Sequence, residues 1–148
     1  MKKLFVVILT ICCVTFGTLS HANTWGLPEK KACKHNVVNE LRLFQRKVYH
    51  FGNQTFQLDR RGMKHILERH HPYFWNGSIK KTQSFLSCDM TVNKIVNAIN
   101  SIMKKNRNVL LKQGSKIFQI EGYYKGQLYT VGFENGRIGQ FYPKLKPR

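Results

Sequence analysis

Acidic side chains are scarce in this chain: seven Asp and Glu stand among 148 residues, against 25 Lys and Arg. A carboxylate cage for a pair of catalytic metal ions needs several acids held together. Asp59, Glu68 and Asp89 are scattered instead, which argues against a two-metal nuclease, and no cofactor is expected. Cysteine is also sparse, with four in all, and Cys12 and Cys13 fall within the first 22 residues. Two further cysteines without regular Cys/His spacing lend little support to a structural zinc site. Beyond residue 22 no apolar run is long enough to span a bilayer, so no integral membrane segment is expected in the mature chain. Internal repeats and low-complexity segments are absent.

What is present begins with a targeting signal. Lys2 and Lys3 precede an apolar stretch over 4–17, and Ser20-His21-Ala22 supplies small residues for cleavage after Ala22. Residues 1–22 therefore read as a signal peptide, and the protein as secreted or periplasmic. Removing 22 of the 148 residues takes two lysines and no acid, leaving 126 residues with a formal charge of +16. Residues 23–148 suffice for one domain with a single core. Such a charge calls for an anionic partner: nucleic acid, acidic glycan or a lipid surface. Cys33 and Cys88 are the one pair left in an exported chain, which predicts a disulfide between them, with two buried thiols as the alternative.

Periodicity predicts an α+β domain, with N-terminal helices followed by an antiparallel β-meander and the long helix packed on one sheet face. Val37, Val38, Leu41, Phe44 and Val48 predict an amphipathic helix over 36–49. A hairpin or extended arm follows, turning at Gly52-Asn53, and Asp59 is placed to cap a helix over 62–70. Residues 71–90 form a long loop. Val92, Ile95, Val96, Ile99, Ile102 and Met103 mark the long helix. The period then changes to two. Strands are predicted at 109–111, 116–123, 127–133 and 137–142, with Asn135-Gly136 signalling a type I′ hairpin. On the last strand, simple alternation puts Ile138, Gln140 and Tyr142 on one face and Phe141 on the other.

The chemistry concentrates in Arg61-Gly-Met-Lys-His-Ile-Leu-Glu-Arg-His-His-Pro72, which holds His65, His70 and His71. His65 and Arg69, four apart, share a helical face. His70 lies about 140° round from His65 on a straight helix, so the two rings converge only if the chain leaves the helix near Pro72. Histidine titrates near neutrality and serves as acid or base. Arg69, Lys80 and Lys81 are candidate phosphate contacts. The plainer reading of the stretch is a solvated basic helix.

The order of H-I-L-E-R-H, K-K-T-Q-S-F, T-V-N-K-I-V-N-A-I, G-Y-Y-K-G-Q-L-Y-T-V-G-F and N-G-R-I-G-Q-F-Y-P resembles the bacterial EndoU-like ribonuclease toxins. Those toxins belong to the barnase-, EndoU-, colicin- and RelE-like group. The resemblance covers residues 61–143. It implies metal-independent endoribonuclease activity through a 2′,3′-cyclic phosphate, with RNA as substrate and a cognate immunity protein as a possible partner. It matches His65 to the first catalytic histidine, His70 or His71 to the second, and Tyr142 to the closing aromatic. Gln140 falls at a substrate-contact position where such toxins often carry threonine. The competing expectation is a non-enzymatic cationic envelope protein that binds nucleic acid, glycan or lipid.

Overall fold

Tight turns set the sheet. Lys125-Gly126 and Asn135-Gly136 each place two consecutive residues at positive φ, 49° and 81° and then 49° and 76°. That pair of left-handed residues is what a type I′ hairpin requires. The computed structural model describes residues 36–78, 83–114 and 116–144. Residues 1–22, expected to be a signal peptide, and Cys33, Lys80 and Lys81 lie outside them, while Cys88 is exposed.

Nine elements follow in order: α1 (Val37–Glu40), β1 (Lys47–Phe51), β2 (Gln54–Leu58), α2 (Arg60–His70), α3 (Val92–Lys105), α4 (Arg107–Gln113), β3 (Phe118–Tyr124), β4 (Gln127–Glu134) and β5 (Arg137–Pro143) among the described residues. The α+β class is as expected. The sheet, however, is mixed and five-stranded, ordered β1-β2-β5-β4-β3. β3, β4 and β5 form the antiparallel meander. The β1–β2 hairpin joins its far edge, β2 pairing in parallel with β5 through Gln57 and Arg137.

Two element assignments are corrected. The helix predicted over 36–49 stops at Glu40, and Lys47–Phe51 is strand β1. Val48, Tyr49 and Phe51 are β-branched or aromatic, and pairing with Gln54–Leu58 across the Gly52 turn overrides the helical spacing. Residues 109–111 are not a strand but part of α4, with Leu110 fully buried. A three-residue apolar run carries no period that separates helix from strand.

The face alternation of β5 is also corrected. Phe133 pairs with Ile138 while its neighbour Gly132 pairs with Gln140, so Gly139 is an extra residue in the ladder. The bulge turns Ile138 to the buried face with Phe141 and leaves Gln140 and Tyr142 on the other face. Tyr129 stacks on Phe141 at 4.8 Å, and Phe118 on Phe133 at 4.5 Å, with Phe56 set edge-on to both Phe118 and Phe133.

The helices close the core. Thr91 caps α3 by accepting the Lys94 N–H. Ile95, Ala98, Ile99, Ile102 and Met103 of α3 are buried. Ile102 lies against β3 at Gly122, where a Cβ would come within 2.9 Å of its Cγ2. Arg107 stands over the Phe51 ring at 5.9 Å.

Candidate functional site

The site is built on the seam between α2 and β5. Asp59 Oδ1 accepts the Gly62 N–H at 2.7 Å and so caps α2. The other oxygen, Oδ2, forms an ion pair with Arg137 Nε at 2.9 Å. One carboxylate thus ties the start of the helix to the start of the strand. Gly62 brings the two backbones together: a Cβ there would fall 2.2 Å from the Ile138 carbonyl oxygen.

From this anchor the two elements keep pace. Eight helical residues from Gly62 to His70 rise about 12 Å. Four strand residues from Ile138 to Tyr142 advance about 13 Å. The imidazole of His70 therefore arrives beside Tyr142, stacked at 4.9 Å between centroids.

Along the seam opens a cavity of about 500 Å³, walled by α2 on one side and by β3, β4 and β5 on the other. His65 lines it, together with Arg61, Lys64 and Glu68 from the helix and Gln119, Glu134, Arg137 and Gln140 from the sheet. Lys64 pairs with Glu68 at 3.7 Å. Arg61 lines the cavity with no carboxylate within ion-pair distance among the described residues. Gln119 Nε2 donates to Gln140 Oε1 at 2.9 Å. Gly132 lets that pair lie flat, because a Cβ there would sit 2.8 Å from the Gln140 Oε1.

The structure separates the three histidines of the motif. His65 is an exposed wall of the cavity. His70 is half-buried at the end of α2, with Nδ1 2.9 Å from the Ser84 carbonyl oxygen. His71 is 2% exposed, terminates α2, and rests against the Phe74 and Tyr73 rings. Its Nδ1 accepts the Tyr73 N–H at 3.2 Å.

Arg69 does not line the cavity. Its Nη1 donates to Ser78 Oγ at 2.7 Å, which turns the guanidinium toward the loop. Trp75 closes the same loop by donating to the Ser78 carbonyl at 3.0 Å and meeting Phe85 edge-on. Beside it the Cys88 side chain, by its charge and by a hydrogen bond, pushes the Tyr73 phenol above its usual range.

Sequence reasoning missed Arg61, Lys64, Arg137 and Gln119. A signal for the first was present: Arg61, His65 and Glu68 are spaced four and three apart, one stripe of a helix. Arg69 is as far from His65 in the other direction, and only packing distinguishes the two. Arg137 and Gln119 reach the cavity through strand pairing and leave no local mark. Among the described residues no three His, Cys, Asp or Glu side chains cluster as metal ligands, and no helix is long and apolar enough to cross a membrane. The chain matches no protein-family model, no curated protein and no solved structure.

Proposed function

We propose that this protein is an exported, metal-independent endoribonuclease toxin that cuts RNA phosphodiesters through a 2′,3′-cyclic phosphate, with His65 and His70 as its acid–base pair. The observation that carries the reading is the α2–β5 seam. It holds one histidine in the wall of a cavity that Arg61 also lines, and a second histidine farther along the same helix, stacked on Tyr142 of the strand.

The chemistry follows from what the substrate needs. Attack by a ribose 2′-OH on the adjacent phosphorus requires a base for the hydroxyl proton and an acid for the departing 5′-oxygen. The two groups need not touch, since each must reach only its own oxygen. Charge that builds on the phosphate in the transition state is met by fixed cations, and Arg61 and Lys64 flank His65 for that purpose. The Gln119–Gln140 pair offers amide contacts to the nucleotide, and the Tyr142 hydroxyl can orient the phosphate beside His70. His71 is left out of the pair because it is buried.

The deciding experiment incubates the purified protein with total RNA in the presence of a chelator and analyses the new ends. Cyclic phosphate and 5′-hydroxyl termini are expected. Cleavage only on addition of a divalent metal overturns the mechanism. Salt-sensitive binding without cleavage under any condition transfers the function to a cationic binding protein, for which the formal charge of +18 on the full chain is the motive.

A further inference from the structure

Residues 83–86 lie across the last turn of α2. The carbonyls of that turn have no donor within the helix. Gln83 Nε2 donates to the Arg69 carbonyl at 2.6 Å, and the Leu86 N–H donates to the His70 carbonyl at 2.7 Å. Between these two straps sits Ser84, whose polar groups bond in two directions. Its carbonyl oxygen is 2.9 Å from His70 Nδ1. A carbonyl can only accept, so Nδ1 carries the proton. Its hydroxyl donates at 2.7 Å to the Pro143 carbonyl, 59 residues away at the end of β5. Pro143 follows Tyr142, and Tyr142 stacks on His70. The contacts close a ring: His70 to Ser84, Ser84 to Pro143, and Tyr142 back to His70.

We propose that Ser84 is a positioning residue that fixes His70 as its Nδ1–H tautomer and holds the ring against Tyr142, so that Nε2 is the atom exchanging a proton with RNA. The inference rests on the reading of His70 as acid or base. Neutral imidazole has two tautomers, and the bond made by one nitrogen decides which proton state the other presents. Ser84 is 8% exposed, and its hydroxyl anchors that carbonyl to the sheet. Without the anchor, the strap loses its hydrogen bond to the sheet. The carbonyl then no longer keeps a fixed place relative to the strand on which the substrate lies.

The test compares the wild-type protein, Ser84→Ala and Ser84→Thr, each labelled with ¹⁵N-histidine. Nitrogen-15 correlation spectra report the His70 tautomer, and steady-state kinetics on RNA report the rate. Wild-type His70 is expected as Nδ1–H. Ser84→Ala is expected to populate Nε2–H and to lose about 10–100-fold in kcat, as misplacement of a reacting group does, with KM changed by less than about twofold. Ser84→Thr keeps the hydroxyl and restores both readouts. A wild-type His70 in the Nε2–H form overturns the inference whether or not either variant folds. So does a Ser84→Ala protein with the wild-type tautomer and kcat. If the tautomer shifts as expected but no variant and no wild-type protein cuts RNA, the positioning by Ser84 stands and the ribonuclease reading fails.

Discussion

The ring of His70 lies over the ring of Tyr142, with centroids 4.9 Å apart and planes inclined by 28°. One residue ends a helix and the other nearly ends the last strand, 72 positions later in the chain. The contact makes the α2–β5 seam a two-ended structure, fixed at Asp59 and Arg137 at one end and by the aromatic stack at the other.

The histidines separate by experiment. His65→Ala and His70→Ala are each expected to lose about 10²–10⁴-fold in RNA cleavage while keeping the fold, since each removes one proton-transfer group. His71→Ala is expected to act through stability. It removes the His71 acceptor of the Tyr73 N–H, at a cost of about 0.5–1.5 kcal/mol, and it also loosens the packing around Phe74. Cleavage rates measured below the unfolding transition, beside urea titrations, distinguish the two. A His71→Ala protein of native stability and no activity would return His71 to the site.

Arg61 supplies charge to the cavity, with no carboxylate within ion-pair distance among the described residues. Arg61→Ala is expected to weaken RNA binding and to reduce the log–log salt slope by about 0.7 for each single-strand phosphate that the guanidinium neutralises. Arg69→Ala should leave the slope unchanged, because that guanidinium is turned to Ser78. Equal slopes for Arg61→Ala and wild type would remove Arg61 from the phosphate path.

Gly62 is set by contact rather than by conformation. In Gly62→Ala the new methyl must push the Ile138 carbonyl aside, since it begins 2.2 Å from that oxygen. Overpacking of this kind costs about 1–3 kcal/mol or more. Thermal unfolding should show a clear fall in Tm, and the same substitution at Gly126, with open space around it, should be felt only through its positive φ.

Acid should expose the role of Asp89. The Lys94 ammonium, by hydrogen bond and charge, and the Ser87 hydroxyl hold its carboxyl down at about 2, from an ordinary 3.8. A depressed folded-state value means the ionised form favours folding. The contribution is present above about pH 4 and is lost as pH falls through 2. The gap in urea midpoint between wild type and Asp89→Asn should therefore be open at pH 5 and much reduced at pH 2. A gap that persists undiminished at pH 2 would assign it to something other than ionisation.

Tyr49 carries a hydroxyl that is buried without a hydrogen-bond partner among the described residues. Burial pushes its phenol from 10.0 up to about 12. The raised value means the protonated form favours folding: that contribution is complete below pH 10 and is lost as pH rises through 12. Tyr49→Phe removes an unsatisfied polar group and keeps the ring, so it should leave stability at neutral pH unchanged or raise it by about 1 kcal/mol. It should also delete a late-titrating phenol in an ultraviolet titration. A large loss of stability in Tyr49→Phe would show that the hydroxyl is bonded after all.

The sequence by itself determined the parts of this protein whose causes are local. Asp59 caps the histidine helix because its side chain needs only a free N–H three residues on. Asn135-Gly136 turns because both residues tolerate positive φ. The stripe from Val92 to Met103 is a helix because its period is unambiguous. Tertiary structure decided what depends on partners far along the chain. Whether Val48 and Tyr49 join a helix or a strand is settled by pairing with Gln57 and Phe56. The face on which Ile138 points depends on a bulge at Gly139 that only the β4–β5 register creates. Arg61 rather than Arg69 enters the cavity because β5 lies on that side of α2, and His70 rather than His71 meets Tyr142 because the helix ends between them. Local propensity acts over a few residues, whereas register, burial and the convergence of side chains are set by the chain folding back upon itself.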